Sequence, residues 1–215
     1  MSYQVLMPNK SFIGAGAIEQ AKDSLKSLGS NALIISGKIV EKSGIVKKLT
    51  DVLEMTGVRY TVFTDIKGEP DDLMVAEAKK AFDENKCDMV IGIGGGSPLD
   101  SAKAVSAASG YAPIALIPTT AGSGSEATKF YVVTETATDT KKLITDEAII
   151  PKLAIIDPAL SVTAPKSITA ATGMDALTHA VEAYTSRKAT PYTDMFALSA
   201  IKRNICRGHM RTERI

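Results

Sequence analysis

Met89-Val90-Ile91-Gly92-Ile93-Gly94-Gly95-Gly96-Ser97-Pro98-Leu99-Asp100-Ser101-Ala102-Lys103 is the stretch that decides the fold. Met89 to Ile93 is a short apolar run, the pattern of a strand covered on both faces, and it passes through glycines straight into an alanine-rich helix. Three consecutive glycines at such a junction let the backbone approach a ligand closely, and the N–H groups of the following first helical turn attract anionic oxygens, phosphate above all. Ser97 is placed as N-cap, Pro98 as N1 and Asp100 as N3, a capping-box-like pair with Ser97. A helix start alone would explain Ser97, Pro98 and Asp100, but it does not require Gly94, Gly95 and Gly96 together. The spacing differs from the usual dinucleotide G-x-G-x-x-G.

The same rhythm extends in both directions. Upstream, an extended stretch over Tyr3 to Phe12 precedes a helix from Ala17 to Leu28, which Gly29 closes at C′. Ala32 to Ile35 is a strand, Ser36-Gly37-Lys38 its turn, and Ser43 caps a helix whose apolar residues Ile45, Val46, Leu49, Val52 and Leu53 recur at helical spacing up to Gly57. Val58 to Phe63 is a strand and Asp71 to Asn85 a helix. Downstream come strands at Pro113 to Ile117, Phe130 to Thr134, Lys142 to Thr145 and Leu153 to Ile156. Short β-branched runs alternating with amphipathic helices build a parallel sheet, so the fold class is α/β. From about Pro165 only helix formers follow, which places a boundary between Asp157 and Pro165.

Composition agrees with a globular chain. At 215 residues, with 45% hydrophobic and 23% charged, it can bury a substantial core, and collagen-like, low-complexity and disulfide-scaffold classes are excluded. Twenty-five Lys and Arg against 24 Asp and Glu leave a net charge of +1, so no long-range field gathers nucleic acid or an anionic membrane. Cys87 and Cys206 lack metal or redox spacing and read as free thiols. Met1 to Gln4 begins no basic leader and no apolar run approaches membrane-spanning length, so the expected location is cytoplasmic.

Two more stretches carry chemistry. Pro118-Thr119-Thr120-Ala121-Gly122-Ser123-Gly124-Ser125-Glu126-Ala127-Thr128 gathers hydroxyls and glycines directly after a strand, where open α/β sheets place ligands; a plain surface loop is the competing reading. Asp175 and His179 stand four apart in a helical segment, on one face, where they could grip a divalent cation. Standing alone, such a pair is more simply a hydrogen-bonded surface pair, and Glu182, one turn on, reads as a solvated charge.

Together these stretches resemble the iron-containing (group III) alcohol dehydrogenases. Gly94 to Lys103, the 118–128 loop, Ile156-Asp157-Pro158-Ala159-Leu160 and Gly173-Met174-Asp175-Ala176-Leu177-Thr178-His179-Ala180-Val181-Glu182 occur in that family's order and approximate spacing, over residues 4 to 202. The resemblance implies a Rossmann-like nucleotide-binding domain over residues 1–160, followed by the first helices of an all-helical metal-binding domain over 161–202, in the dehydroquinate synthase-like superfamily. It further implies hydride transfer between a small alcohol and NAD or NADP, with Fe2+ usual and Zn2+ an alternative. Under it, Gly94, Gly95, Gly96 and Ser97, with Asp100 behind them, belong to the pyrophosphate turn; Thr119, Thr120, Ser123, Thr128 and Phe130 line the path to the nicotinamide; and Lys141 contacts the ribose region. Asp175 and His179 are then metal ligands. No nucleic-acid or membrane partner is implied, and a homo-oligomer is.

Two departures stand out. Members preferring NAD carry an aspartate where this chain has Gly37, so NADP is expected to be acceptable; Lys38 is either an aid to it or, as an exposed lysine after a strand more often is, simply solvated. Residues 203–215, with Arg203, Arg207, Arg211 and Arg214, match nothing expected, and a truncated or frameshifted end with little turnover is the expectation; His209 is not assigned to metal. A non-catalytic nucleotide-binding fragment and a glycerol-dehydrogenase-like enzyme are the alternatives.

Overall fold

The computed structural model describes residues 2–66 and 68–212, with side chains described up to Ile205. The expectations placed on Cys206, His209 and the arginines beyond them fall outside the described side chains. Two compact units emerge, one of residues 1–119 and 125–163, the other of residues 120–124 and 164–215.

The first unit runs β1 (Lys10–Ile13), α1 (Ala17–Gln20), α2 (Lys22–Leu28), β2 (Asn31–Ile35), α3 (Lys38–Lys42), α4 (Ile45–Thr56), β3 (Arg59–Phe63), α5 (Asp72–Glu84), β4 (Met89–Gly94), α6 (Gly96–Ala108), β5 (Ile114–Pro118), the hairpin β6 (Phe130–Glu135) and β7 (Thr140–Thr145), and β8 (Leu153–Ile156). Six strands form one all-parallel sheet in the order β1-β8-β5-β4-β2-β3. β2 and β4 are buried at every position, the reason their sequences read as unbroken apolar runs.

Successive strand residues feed opposite faces of the sheet. Ile34, Ile91, Ile93 and Ile117 join the core formed with α1, α2 and α4, while Leu33, Ile35, Val90 and Leu116 join the one formed with α5 and α6. α6 rides closely on β4. A Cβ at Gly92 would stand 2.7 Å from Leu116 Cδ2 and 2.8 Å from Ala102 Cβ, so this glycine exists to let helix and strand touch. The second unit contains α7 (Lys166–Thr185) and α8 (Pro191–Thr212), which pack on each other. No helix among the described residues is long and apolar enough to cross a membrane.

Several local expectations are corrected. Gly29 follows α2 in an extended conformation (φ 178) instead of a left-handed cap; its missing side chain makes room for Asp88, whose Oδ1 would lie 2.5 Å from a Cβ. Asp88 there accepts the amides of Ser30 and Asn31 and the Ser30 hydroxyl, at 2.7–3.0 Å. Ser43 ends α3, and Gly44, with φ 82, starts α4, so the expected turn at Ser36-Gly37-Lys38 leads into a short helix that the sequence reading lacks. Only Lys10–Ile13 of the N-terminal extended stretch joins the sheet. Cys87 is a buried free thiol, which burial pushes above its ordinary pKa.

Candidate functional site

The turn after β4 is set by Gly94, whose φ of +149 a side chain rarely adopts and whose Cβ position would lie 2.8 Å from Pro98 Cγ. That geometry starts α6 two residues earlier than the capping pattern suggests. Gly95 is the N-cap, with no side-chain hydrogen bond, and Ser97, Pro98 and Asp100 all lie inside the helix. The Ser97–Asp100 capping pair is therefore replaced by a helix start that no side chain caps, and the N–H groups of Gly96 and Ser97 belong to its first turn, where anionic oxygens are favoured.

Neighbouring strand ends are stitched to this turn. Ser36 donates its hydroxyl to the Ile93 carbonyl at 2.8 Å and its amide to Phe63 O at 3.0 Å, and Thr119, itself buried, donates its amide to Gly94 O at 2.8 Å. Gly37, Gly94 to Ser97 and Thr119 thereby share the carboxyl edge of the sheet, the edge at which open α/β folds hold their ligands.

Asp100 works elsewhere. Its carboxylate accepts the Ser125 hydroxyl at 2.7 Å and the Val132 amide at 3.0 Å, binding α6 to the segment that enters β6. Three residues on, Lys103 is wholly buried, and its ammonium donates to Thr128 O at 2.6 Å, Phe130 O at 2.8 Å and Thr128 Oγ1 at 3.2 Å. Burial depresses its pKa to about 8, against the pull of Asp100 and Glu126, and burial likewise raises both carboxyls. Lys103 thus fixes the backbone of Thr128 and Phe130. A depression of about 290 Å³ lies over this segment, lined by Gln4, Leu6, Ala127, Thr128, Lys129 and Phe130. Lys141, on β7, places its ammonium 2.6 Å from Glu69, in the segment that follows β3.

In the second unit, Asp175 and His179 share one face of α7, with His179 Nε2 3.7 Å from Asp175 Oδ1. His179 Nδ1 lies 3.1 Å from the Gly122 carbonyl oxygen. That oxygen can only accept, so Nδ1 is the donor; in the neutral ring this leaves the Nε2 lone pair on the side of the carboxylate, the second-sphere arrangement typical of metal-ligating histidines. Gly122 has φ +104, and a Cβ there would collide with Asp175 Oδ2 and lie 3.1 Å from Thr172 O, so only glycine brings this backbone onto α7. Thr120 and Ser123 belong to the same 120–124 loop. An imidazole nitrogen and a carboxylate suit a first-row dication; among the described residues no group of three or more His, Cys, Asp or Glu completes such a site.

Comparison with known proteins agrees with this architecture. The family description "Iron-containing alcohol dehydrogenase" matches residues 8–158, and "Fe-containing alcohol dehydrogenase family, C-terminal" matches residues 169–208. The chain belongs to the iron-containing alcohol dehydrogenase family. Among characterised members of that family, it is 38% identical to the NAD-dependent methanol dehydrogenase of Bacillus methanolicus, over 91% of this chain and 56% of that protein. It is also 38% identical to the 1,3-propanediol dehydrogenase of Citrobacter freundii, over 94% of this chain and 58% of that protein. A solved structure of a 1,3-propanediol oxidoreductase superimposes with a TM-score of 0.89 at 35% identity, covering 92% of this chain and 56% of that one. The chain spans a little over half the length of these relatives.

Sequence reasoning passed over Lys103 and the Gly122 carbonyl. Lys103 did leave a signal, as a lone charge in the small and apolar run Ser101-Ala102-Lys103-Ala104-Val105. The Gly122 carbonyl left none, because a backbone acceptor 57 residues from its histidine has no local signature.

Proposed function

We propose that this chain contributes the dinucleotide-binding unit and an aspartate–histidine metal pair of an NAD-linked, iron-dependent alcohol dehydrogenase acting on a small alcohol. The observation that carries the reading is the uncapped glycine turn after β4, flanked on the same sheet edge by the ends of β2 and β5. Within it, the first-turn amides of Gly96 and Ser97 bind the pyrophosphate, and Thr119 holds the turn's own carbonyl in place. Lys103 and Asp100 keep the Ser125 to Val132 segment, with Thr128 and Phe130, in one conformation, so the wall beside the nicotinamide path is built before ligand arrives.

Asp175 and His179 would hold the cation, Fe2+ in the first instance and Zn2+ as the alternative. The Gly122 carbonyl keeps the imidazole in the tautomer that offers Nε2. When bound, the dication supplies Lewis acidity toward an alcohol oxygen and the nicotinamide accepts hydride. The relatives named for methanol and 1,3-propanediol make short primary alcohols the substrates to try first.

Calorimetric titration of NADH into the chain tests the nucleotide reading. Micromolar binding is expected, and Gly95→Val, which puts a branched side chain at the N-cap where the pyrophosphate would lie, should abolish it. A wild type with no heat of binding and no fluorescence change at millimolar NADH would refute the assignment. Metal content after anaerobic loading, compared with Asp175→Ala and His179→Ala, tests the second unit independently.

A further inference from the structure

The residue after β2 is the natural place to read the adenosine 2′-position in a nucleotide-binding sheet, since a carboxylate there accepts a hydrogen bond from a free ribose hydroxyl and repels a 2′-phosphate. This chain has Gly37 instead. Neither backbone nor packing demands a glycine: φ is −94 and a Cβ would meet nothing within 4 Å. The open space is bordered from the next strand. Gly37 forms an antiparallel bridge with Asp65, two residues past the end of β3, and Lys38 Nζ lies 2.6 Å from Asp65 Oδ1, both side chains about half exposed. The Ser36 amide on Phe63 O fixes the two strand ends beside each other.

We propose that Asp65, bridged to Gly37 and paired with Lys38, is the specificity residue that selects a dinucleotide with a free 2′-hydroxyl over one bearing a 2′-phosphate. The inference rests on the nucleotide reading above. A neutral hydroxyl beside this pair donates to the Asp65 carboxylate and accepts from the Lys38 ammonium without parting them. A 2′-phosphate, with up to two negative charges, meets the carboxylate at close range and gains Lys38 only by taking it from Asp65. The lysine that the sequence offers to a phosphate is thus already neutralised, and the preference points to NAD.

The experiment is a fluorescence titration of NADH and NADPH into the 215-residue chain, as wild type, Asp65→Asn, Lys38→Ala and Asp65→Asn/Lys38→Ala. Because both side chains are solvent-accessible, the variants should keep the wild-type circular dichroism spectrum. Wild type should favour NADH by about tenfold or more at low salt, and Asp65→Asn should tighten NADPH by about tenfold while weakening NADH about threefold. The double variant should lose most of the NADPH gain, since freed Lys38 is its source. That gain should also shrink as ionic strength rises. An NADH-to-NADPH ratio that moves by less than about twofold in Asp65→Asn, while both nucleotides bind, overturns the role of Asp65 and leaves the nucleotide reading standing. Failure of both nucleotides to bind wild type overturns both readings.

Discussion

Replacing Lys103 by methionine should produce a stability gap from wild type that widens with pH. A lysine of ordinary pKa 10.5 that titrates at about 8 when folded binds fewer protons in the native than in the unfolded state between those values. Stability therefore rises with pH across that window. The full shift corresponds to about 3 kcal/mol, and roughly three-quarters of it is recovered between pH 7 and pH 10. Methionine fills similar volume and removes this titration. It also strands two backbone acceptors, Thr128 O and Phe130 O, at a cost of about 1–3 kcal/mol each, set against relief from burying the ammonium. At pH 7 the two effects leave a small net destabilisation, about 1–2 kcal/mol; at pH 10 the variant should trail by about 2 kcal/mol more. Urea unfolding of both proteins at half-unit pH intervals measures this, with equal m-values as the check on a shared unfolded state. Taking the difference between proteins cancels the tyrosines and Cys87, which titrate in the same range. A gap that stays constant or narrows toward pH 10 would show that the ammonium is net stabilised by its acceptors and refute the argument from burial.

Three further outcomes follow from named contacts. For Asp88, burial pushes the carboxyl up, but hydrogen bonds from Ser30 and Asn31 outweigh it and hold the pKa below the ordinary value, so its contribution is present at neutral pH and lost as acid protonates it; Asp88→Asn should cost about 1–2 kcal/mol at pH 7 and flatten the fall of stability below pH 5 in acid titrations followed by circular dichroism. Gly92→Val, whose Cβ would press on Leu116 and Ala102, should cost about 3 kcal/mol of unfolding free energy measured in urea, and wild-type stability would disprove the close helix–strand approach. Gly122→Ala should weaken cobalt or zinc binding about tenfold or more in a spectroscopic titration while α-helical content is retained, because it displaces the carbonyl that orients His179; unchanged affinity would remove that carbonyl from the metal reading.

Much of the sheet was legible because the strands are covered on both faces. β2, β4 and β5 announce themselves as unbroken apolar runs, and α4 by its helical spacing ending at Gly57. What failed was chemistry at the joints. Ser97 and Ser43 have the right side chains to cap helices, yet Gly95 and Gly44 hold those positions: at Gly95 the backbone direction is set by the strand it leaves, and at Gly44 by the left-handed turn (φ 82) that joins α3 to α4. Gly29 looked like a helix stop and is a clearance for Asp88, contributed by a segment 59 residues away. The candidate site divides the same way. Its glycines, hydroxyls and the Asp175–His179 spacing are local and readable. Asp65 and the Gly122 carbonyl act across long sequence separations with no local pattern to encode them, and the lone charge at Lys103 marks a buried cation without naming its partners 25 and 27 residues on.

The five residues 120–124 carry a lesson for anyone wishing to recombine this protein. They belong to the second unit, yet the chain on both sides of them belongs to the first, so the path leaves one unit, visits the other and returns before leaving again at residue 164. A swap made at a single junction near that residue would pair α7 with a foreign strap, or leave His179 facing none. The two units are therefore a poor pair of interchangeable cassettes. A chimera that keeps the imidazole oriented has to carry two inserts from the same parent, the helices and the five-residue visit together.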